Sequence, residues 1–560
     1  MNDFVKTGLF VAVAILLIVF AGMVGPSNVT PELFSDEGEE FFAEFTDPFE
    51  ATELEVWQFD EASTELKPFS VKKNDRDVWT IPSHYDYPAD AKARMANSAT
   101  MVVGLKKEQV VGDRKEDHAL FGVVNPREDS LETEGRGTLV SFKNAGGSTL
   151  AELIIGKEVE SEGSIDQYYV RLPGKKRTYV ASLDNQLSTQ FADWIETDLL
   201  KSSALDVDEM IFDNYSVDEQ RGEIIQGERI VARRGADSEW VVEDIQETEE
   251  PNVQKLIDIG STLSQLEIVG VRRKPEGLTE RLQQAQGFDR MALIGNLRGK
   301  GYFLANDGAL VSNEGDLEFH TKKGVKYTLK FGEIAYGVGD AVTSGAEEPT
   351  AAAGADGPQP LPGNNRYLMV TAEFDESLLD KPEGDRWDAD ELALRAQARA
   401  AIDSIVQAVN MFKAQNDGKL PETLAQLTEP AGEGQAPLLA ELAKDPWEQD
   451  YVFQPTEDSF VVMSYGADKQ AGGEGPAMDI RSDQLQQEDE LTRLDSDWKA
   501  FDSKVEAGQE EADKLTARFG PWYYVIDEEM FGNLKPKRED LVKPKAEGQS
   551  EDGAAPGDGK

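Results

Sequence analysis

An amphipathic stripe that runs into a glycine-rich acidic loop constrains this chain more than any other feature. Ile402, Ile405, Val406, Val409 and Phe412 stand at i, i+3, i+4, i+7 and i+10, the spacing of one buried helix face. Asn416-Asp417-Gly418, followed by Pro421, ends that helix. A second short helix is expected around Leu424 to Leu427, then Lys444-Asp445-Pro446-Trp447. Two apolar runs, Tyr451-Val452-Phe453 and Phe460-Val461-Val462-Met463, read as short strands. They lead into SYGADKQAGGEGPAMDI, from Ser464 to Ile480.

Taken in this order, the pieces resemble the globular domain of type II secretion major pseudopilins over roughly Ala396 to Ile480. The resemblance implies a calcium-binding loop, with Asp468 and Asp479 as carboxylate ligands and Ser464 and the backbone carbonyl of Tyr465 as weaker candidates. Calcium takes about six to eight oxygens at flexible distances, and Gly472, Gly473 and Gly475 let carbonyls and carboxylates converge. An acidic turn without a metal uses the same residue types. Two positions depart from the family pattern. Ala477 and Met478 stand where a second acid often precedes the last aspartate, and the polar stretch before Asp388, with Pro382 and Gly384, replaces the family's N-terminal membrane helix.

Gly8 to Gly25 is an uncharged apolar run that at about 1.5 Å per residue approaches the thickness of a bilayer core. It predicts one transmembrane signal-anchor. Lys6 before it and Glu32, Asp36, Glu37, Glu39 and Glu40 after it put the N-terminus in the cytoplasm and the bulk outside, on the inner membrane. A cleaved signal peptide is the competing reading, against which Phe20-Ala21-Gly22-Met23 is a poor cleavage site. The remaining body is strongly acidic. The whole chain has 107 Asp and Glu against 57 Lys and Arg, a balance that would repel nucleic acid and anionic lipid and excludes both as ligands of the main domains. The absence of cysteine rules out disulfides and thiolate metal sites.

Between the anchor and the pseudopilin-like stretch the sequence is strand-rich. Leu54 to Phe59 alternates apolar and polar residues, and Val78-Trp79-Thr80-Ile81 precedes a helix bearing Met95, Ala99 and Val102. Glu239-Trp240-Val241-Val242 starts a similar passage, with a helix bearing Leu256, Ile259 and Leu263. The fold class expected is α+β: a transmembrane helix, two related strand-rich units and a helix-plus-small-antiparallel-sheet domain. WTIPSHYDYPADAKARM (Trp79 to Met95), FGVVNP (Phe121 to Pro126), LAELIIGK (Leu150 to Lys157), YYVRLPG (Tyr168 to Gly174) and RFGPWYYVIDEEMF (Arg518 to Phe531) resemble the domain of unknown function 4340 family. That resemblance, spanning most of Trp57 to Leu541, implies an extracytoplasmic companion of gliding-motility-type ABC transport systems, and no catalytic residue is carried over from it.

The divisions expected are a cytoplasmic N-terminus (1–7), anchor (8–25), acidic linker (26–52), two α+β units (53–210 and 211–380, the second with a flexible loop at 345–365), the pseudopilin-like domain (385–484), a helix with a returning strand (485–534) and a disordered tail (535–560). His84, His118 and His320 have no spacing that suits a zinc site or a catalytic base, and Gly295 to Gly301 falls short of a phosphate loop. The function expected is a non-enzymatic membrane-anchored scaffold with structural calcium. Its partners would be ABC-type permease and ATPase subunits, with pseudopilins of a type II secretion-like assembly as the alternative, and the lipid bilayer through Gly8–Gly25.

Overall fold

The computed structural model describes residues 12–15 and 36–545 apart from short breaks, the longest at 279–286 and 345–363. It is a mixed α and β structure dominated by two large antiparallel sheets. The first takes β1 (Glu53–Asp60), β2 (Glu65–Lys73), β3 (Trp79–Ile81), β4 (Tyr87–Pro88), β5 (Gln109–Gly112), β6 (Thr138–Lys143), β7 (Thr149–Glu158), β8 (Gln167–Arg171) and β9 (Thr178–Ser182) in the order β4-β3-β2-β1-β6-β7-β8-β9-β5. The second uses β10 (Val207–Asp213), β11 (Arg229–Arg234), β12 (Trp240–Val242) and β13 (Gly270–Arg273). After a hairpin of β14 (Tyr302–Leu304) and β15 (Leu310–Ser312) come β16 (Asp316–Thr321), β17 (Val325–Ile334) and β18 (Arg366–Phe374).

The second sheet is completed from far down the chain. Its order is β12-β11-β10-β16-β17-β18-β22-β13, where β22 is Trp522–Ile526 and the three strands between β18 and β22 belong to another sheet. Apart from the two-residue β4, the two orders match position for position. In each, a hairpin is followed by a tryptophan-bearing strand, then a helix, then a strand that crosses to the far edge. The helices are α1 (Lys92–Thr100) and α2 (Val253–Ser264). Leu256, Ile259 and Leu263 of α2 are buried at i, i+3 and i+7, as the stripe requires.

One continuous cluster of buried apolar side chains fills both sheets. The joint between them is made by the loop before β4, where Tyr85 and Asp86 both adopt left-handed backbone (φ 59° and 58°). Such a conformation costs about 1 kcal/mol or more for a residue with a Cβ, so packing must hold it. Tyr85 Oη donates to the Ser344 carbonyl at 2.6 Å, and the Tyr87 ring meets the Trp522 ring edge-on at 4.9 Å.

Between β18 and β22 the chain makes a separate excursion through α4 (Ala389–Gln415), β19 (Val452–Pro455), β20 (Phe460–Ser464) and β21 (Ile480–Arg481). Ile402, Ile405 and Val409 face this three-stranded sheet in a core distinct from the main one. The return is α5 (Leu485–Phe519), the helix expected at the start of 485–534. At about 1.5 Å per residue it runs roughly 50 Å. Its last turns bury Ala512, Leu515 and Phe519 on the second sheet, where Thr516 Oγ1 donates to the Ala372 carbonyl at 2.8 Å.

Two expectations are corrected here. Among the described residues no helix is long and apolar enough to cross a membrane. Within the run Gly8–Gly25 only residues 12–15 are described, as about 6 Å of helix against a bilayer core of about 30 Å, and the rest lies outside the described residues. The single-pass inner-membrane placement is therefore overturned. The tail from Lys535, expected to be disordered, is held as far as Lys545. Leu541 is fully buried and Val542–Pro544 pairs antiparallel with Glu249–Pro251. The flexible loop expected at 345–365 lies, except for its last two residues, outside the described residues.

α5 crosses the second sheet closely at Gly508, where an added Cβ would meet the Lys323 carbonyl oxygen at 2.4 Å and the Phe374 ring at 2.6 Å. A glycine-to-alanine change inside a helix ordinarily gains about 1 kcal/mol. Here overpacking of about 1–3 kcal/mol reverses the sign. Urea unfolding is expected to show Gly508→Ala less stable than the natural chain, and Gly295→Ala, whose Cβ would meet nothing within 4 Å, more stable.

Candidate functional site

The glycine-rich loop between β20 and β21 is built outward from a buried carboxylate. Asp445, 4 % exposed, accepts hydrogen bonds through Oδ1 from the Trp447 and Gln449 backbone N–H groups at 3.1 and 2.7 Å. Its Oδ2 accepts from Ser464 Oγ at 2.6 Å. Ser464 Oγ in turn accepts from Gly466 N at 3.1 Å, so both groups are spent on fixing where the loop leaves β20. Burial, with the Asp445 charge nearby, pushes the Tyr451 phenol up to about 12.

Beyond this root the loop folds on itself. Asp468 is exposed and accepts from Gln470 N at 3.0 Å, while Asp479 Oδ2 accepts from Gly472 N, also at 3.0 Å. Gly473 has φ 99°, and a Cβ there would lie 2.1 Å from the Ala477 carbonyl oxygen, so only glycine permits this closure. Asp479 Oδ1 is buried and has no hydrogen-bond partner. An orphaned carboxylate oxygen is a donor of the kind a hard cation takes.

The four residues expected as ligands thus part company. Asp479 and the half-buried Tyr465 flank the Ser464–Ile480 pair that closes the sheet. Ser464 has its hydroxyl engaged by Asp445, and Asp468 bonds its own turn. Among the described residues no group of three or more histidine, aspartate or glutamate side chains is placed to hold a metal. Of the four, Asp479 keeps a buried carboxylate oxygen without a partner, which makes one side-chain donor for a cation rather than a cage of carboxylates.

Sequence reasoning missed the residue that anchors the loop. Arg395 of α4 is 1 % exposed, and its Nη1 donates to the Met478 carbonyl at 2.8 Å, next to Asp479. Its Nε and Nη2 form a two-pronged pair with Glu488, on the first turn of α5 and 6 % exposed. The signal was present in part. Arg395 continues the buried stripe Ala398, Ile402, Ile405 toward the N-terminus at i−3. Nothing local marks Glu488 as its partner.

The three histidines are not brought together. His84 stacks on Phe191 at 4.5 Å, and burial with nearby Arg272 lowers its pKa to about 4. His118 Nε2 lies 2.7 Å from the Lys176 carbonyl. His320 Nε2 is 2.8 Å from Glu318 Oε1, and its Nδ1 is 2.6 Å from Glu209 Oε2, an ion contact without hydrogen-bond alignment. Burial opposes the charge on His320, but the two carboxylates outweigh it and raise its pKa above 6.5.

Comparison with known families agrees with both resemblances. Residues 388–483 match the family model described as type II secretion system (T2SS), protein G. Residues 79–285 match the Domain of unknown function (DUF4340), a shorter span than Trp57 to Leu541. The first match indicates a secretion-related role, and the second is to a domain without an assigned function. None of the curated proteins matches the chain.

Two measurements follow from the site. Arg395→Met leaves Glu488 buried without its partner and is expected to lose about 3–5 kcal/mol in denaturant unfolding. Arg395→Met with Glu488→Met is expected to recover most of that loss, and simple additivity of the two single changes would contradict the pairing. For His320 the folded pKa is raised, so its contribution is fully present below about 6.5 and disappears as pH rises through the folded value. The stability gap between the natural chain and His320→Gln is therefore expected to be widest near pH 5.5 and to shrink toward about pH 8.

Proposed function

We propose that this chain is a non-enzymatic docking protein of a type II secretion-like assembly, in which the part built from α4 and the three-stranded sheet engages pseudopilins while the two large sheets carry it. The observation behind this reading is a coincidence of boundaries. The family match at 388–483 coincides with a segment that has its own core, and this segment is tied to the second sheet by α5. α4 starts at a true cap, Asp388 Oδ1 accepting from Asp390 N and Glu391 N at 2.9 and 3.1 Å. It therefore offers a pseudopilin-like globular face without a continuous apolar helix leading into it. A subunit of that kind ends or decorates a polymer rather than extending it.

In the same reading Asp479 and loop carbonyls hold a structural calcium ion. Bound calcium would cross-link the two sides of the loop that Arg395 anchors. Calcium at 100 times its dissociation constant is expected to stabilise the full chain by about 2.7 kcal/mol. Asp479→Asn, read by thermal unfolding with and without calcium, is expected to abolish the increment. An equal increment in the variant would remove calcium from this loop.

The partner test is a mild-detergent capture with the full chain beside a version in which 388–483 is replaced by a glycine-serine linker, identified by mass spectrometry. Pseudopilins captured by the first and lost with the second are the expected result. ABC-type permease and ATPase subunits captured by both would overturn it in favour of a transport companion, the reading implied by the first half's resemblance.

A further inference from the structure

The outer face of the second sheet holds a feature that the docking role does not use. β17 alternates strictly: Val325, Tyr327, Leu329 and Phe331 enter the main core, and Lys326, Thr328 and Lys330 point the other way. There the sheet, Arg290 of α3 (Gly287–Arg298), the β14–β15 hairpin, the end of β13 and the C-terminal end of α5 line a half-open cavity of about 1080 Å³. This is the size of an organic-ligand site. Leu278, Leu304, Leu310 and Met369 supply apolar walls.

The acids on the cavity floor are already matched. Asp316 pairs with Lys330, Glu318 with His320, and Glu373 with Lys326 at 3.5 Å. Lys274, just past β13, lines the same cavity, is 8 % exposed, and has no carboxylate partner among the described residues. Its Nζ lies 5.4 Å from the centre of the Tyr523 ring, and Lys300 Nζ lies 5.1 Å from the same ring. Two ammonium groups thus share one buried aromatic ring, in a chain whose formal net charge is −50. A buried ammonium with no carboxylate beside it among the described residues suits an anionic partner.

We propose that this cavity binds an anionic amphiphile, whose carboxylate or phosphate head lies at Lys274 and whose apolar body lies against Leu278, Met369 and the β14–β15 hairpin. The ammonium is the specificity group, since the walls accept any apolar body of the right size. The proposal does not rest on the docking role or on calcium.

Burial lowers the Lys274 pKa to about 8; the charged groups lining the cavity with it are Arg273 on β13, Arg290 on α3 and the floor residues Asp316, Glu318, Lys326, Lys330 and Glu373, with Lys300 on the same Tyr523 ring. A bound anion favours the charged ammonium. Affinity is therefore expected to fall about tenfold per pH unit above about 8.

The test is calorimetric titration of the full chain with decanoate, decyl phosphate and decanol at pH 7. At least one of the two anions is expected to bind one per chain, at least tenfold tighter than decanol, and the preferred head tells carboxylate from phosphate. Lys274→Met is expected to weaken the preferred anion at least tenfold, to leave decanol unchanged and to lose the pH dependence. Should that variant fail to fold, Leu310→Trp fills the cavity from the hairpin and is expected to abolish binding of both anions. Failure of both anions to bind at millimolar concentration overturns the proposal. So does unchanged anion affinity in folded Lys274→Met, or in Leu310→Trp where the first variant does not fold.

Discussion

The return of one strand governs the architecture. β22 is buried along its whole length and pairs on both sides, with β18 through Arg366–Ile526 to Leu368–Tyr524 and with β13 through Gly270–Val525 to Arg273–Trp522. Without it the second sheet would stop at β18 and leave β13 without a neighbour in that sheet. Everything between Phe374 and Trp522 must therefore leave the sheet and come back to the same edge. This is why a part with its own core is held at both ends, and why α5 is long enough to bridge it to the sheet.

Attachment at two chain ends alone would leave that part free to swing. The buried Arg395–Glu488 pair and the exposed pair Arg399–Asp489 fix α4 against α5, and Arg386–Asp502 ties the segment before α4 to the same helix. The exposed pairs contribute little each, whereas the buried one must be satisfied once formed, because either charge left alone inside is costly. The same guanidinium holds the Met478 carbonyl, so loop shape and the docking of α4 on α5 share one group. A change at the loop is thus mechanically close to α5, and through α5 to the second sheet.

The matching strand orders give the two sheets a common plan, with the secretion-like part inserted before the last strand of the second copy. Such an insertion costs little when the flanking strands stay adjacent, as β18 and β22 do. The acidic surface outside the core agrees with a protein that stays dispersed and meets partners through defined faces.

The sequence by itself determined whatever repeats over a few residues. The stripe of α4, the alternation of β1, the turn at Asn416-Asp417-Gly418 and the return of Trp522–Ile526 to a sheet were all legible, since each follows from one local period or one turn residue. The order of the pieces also pointed to the pseudopilin-like segment. Tertiary structure alone decided that Asp445 and Ser464 root the loop, that Arg395 meets a glutamate 93 residues away, that the segment at Leu541 and Val542 is held in place, and that Lys274 is buried without an acid beside it among the described residues. The physical reason is the same in each case. Periodicity encodes which face is buried, but the partner of a buried charge is chosen only when distant elements pack.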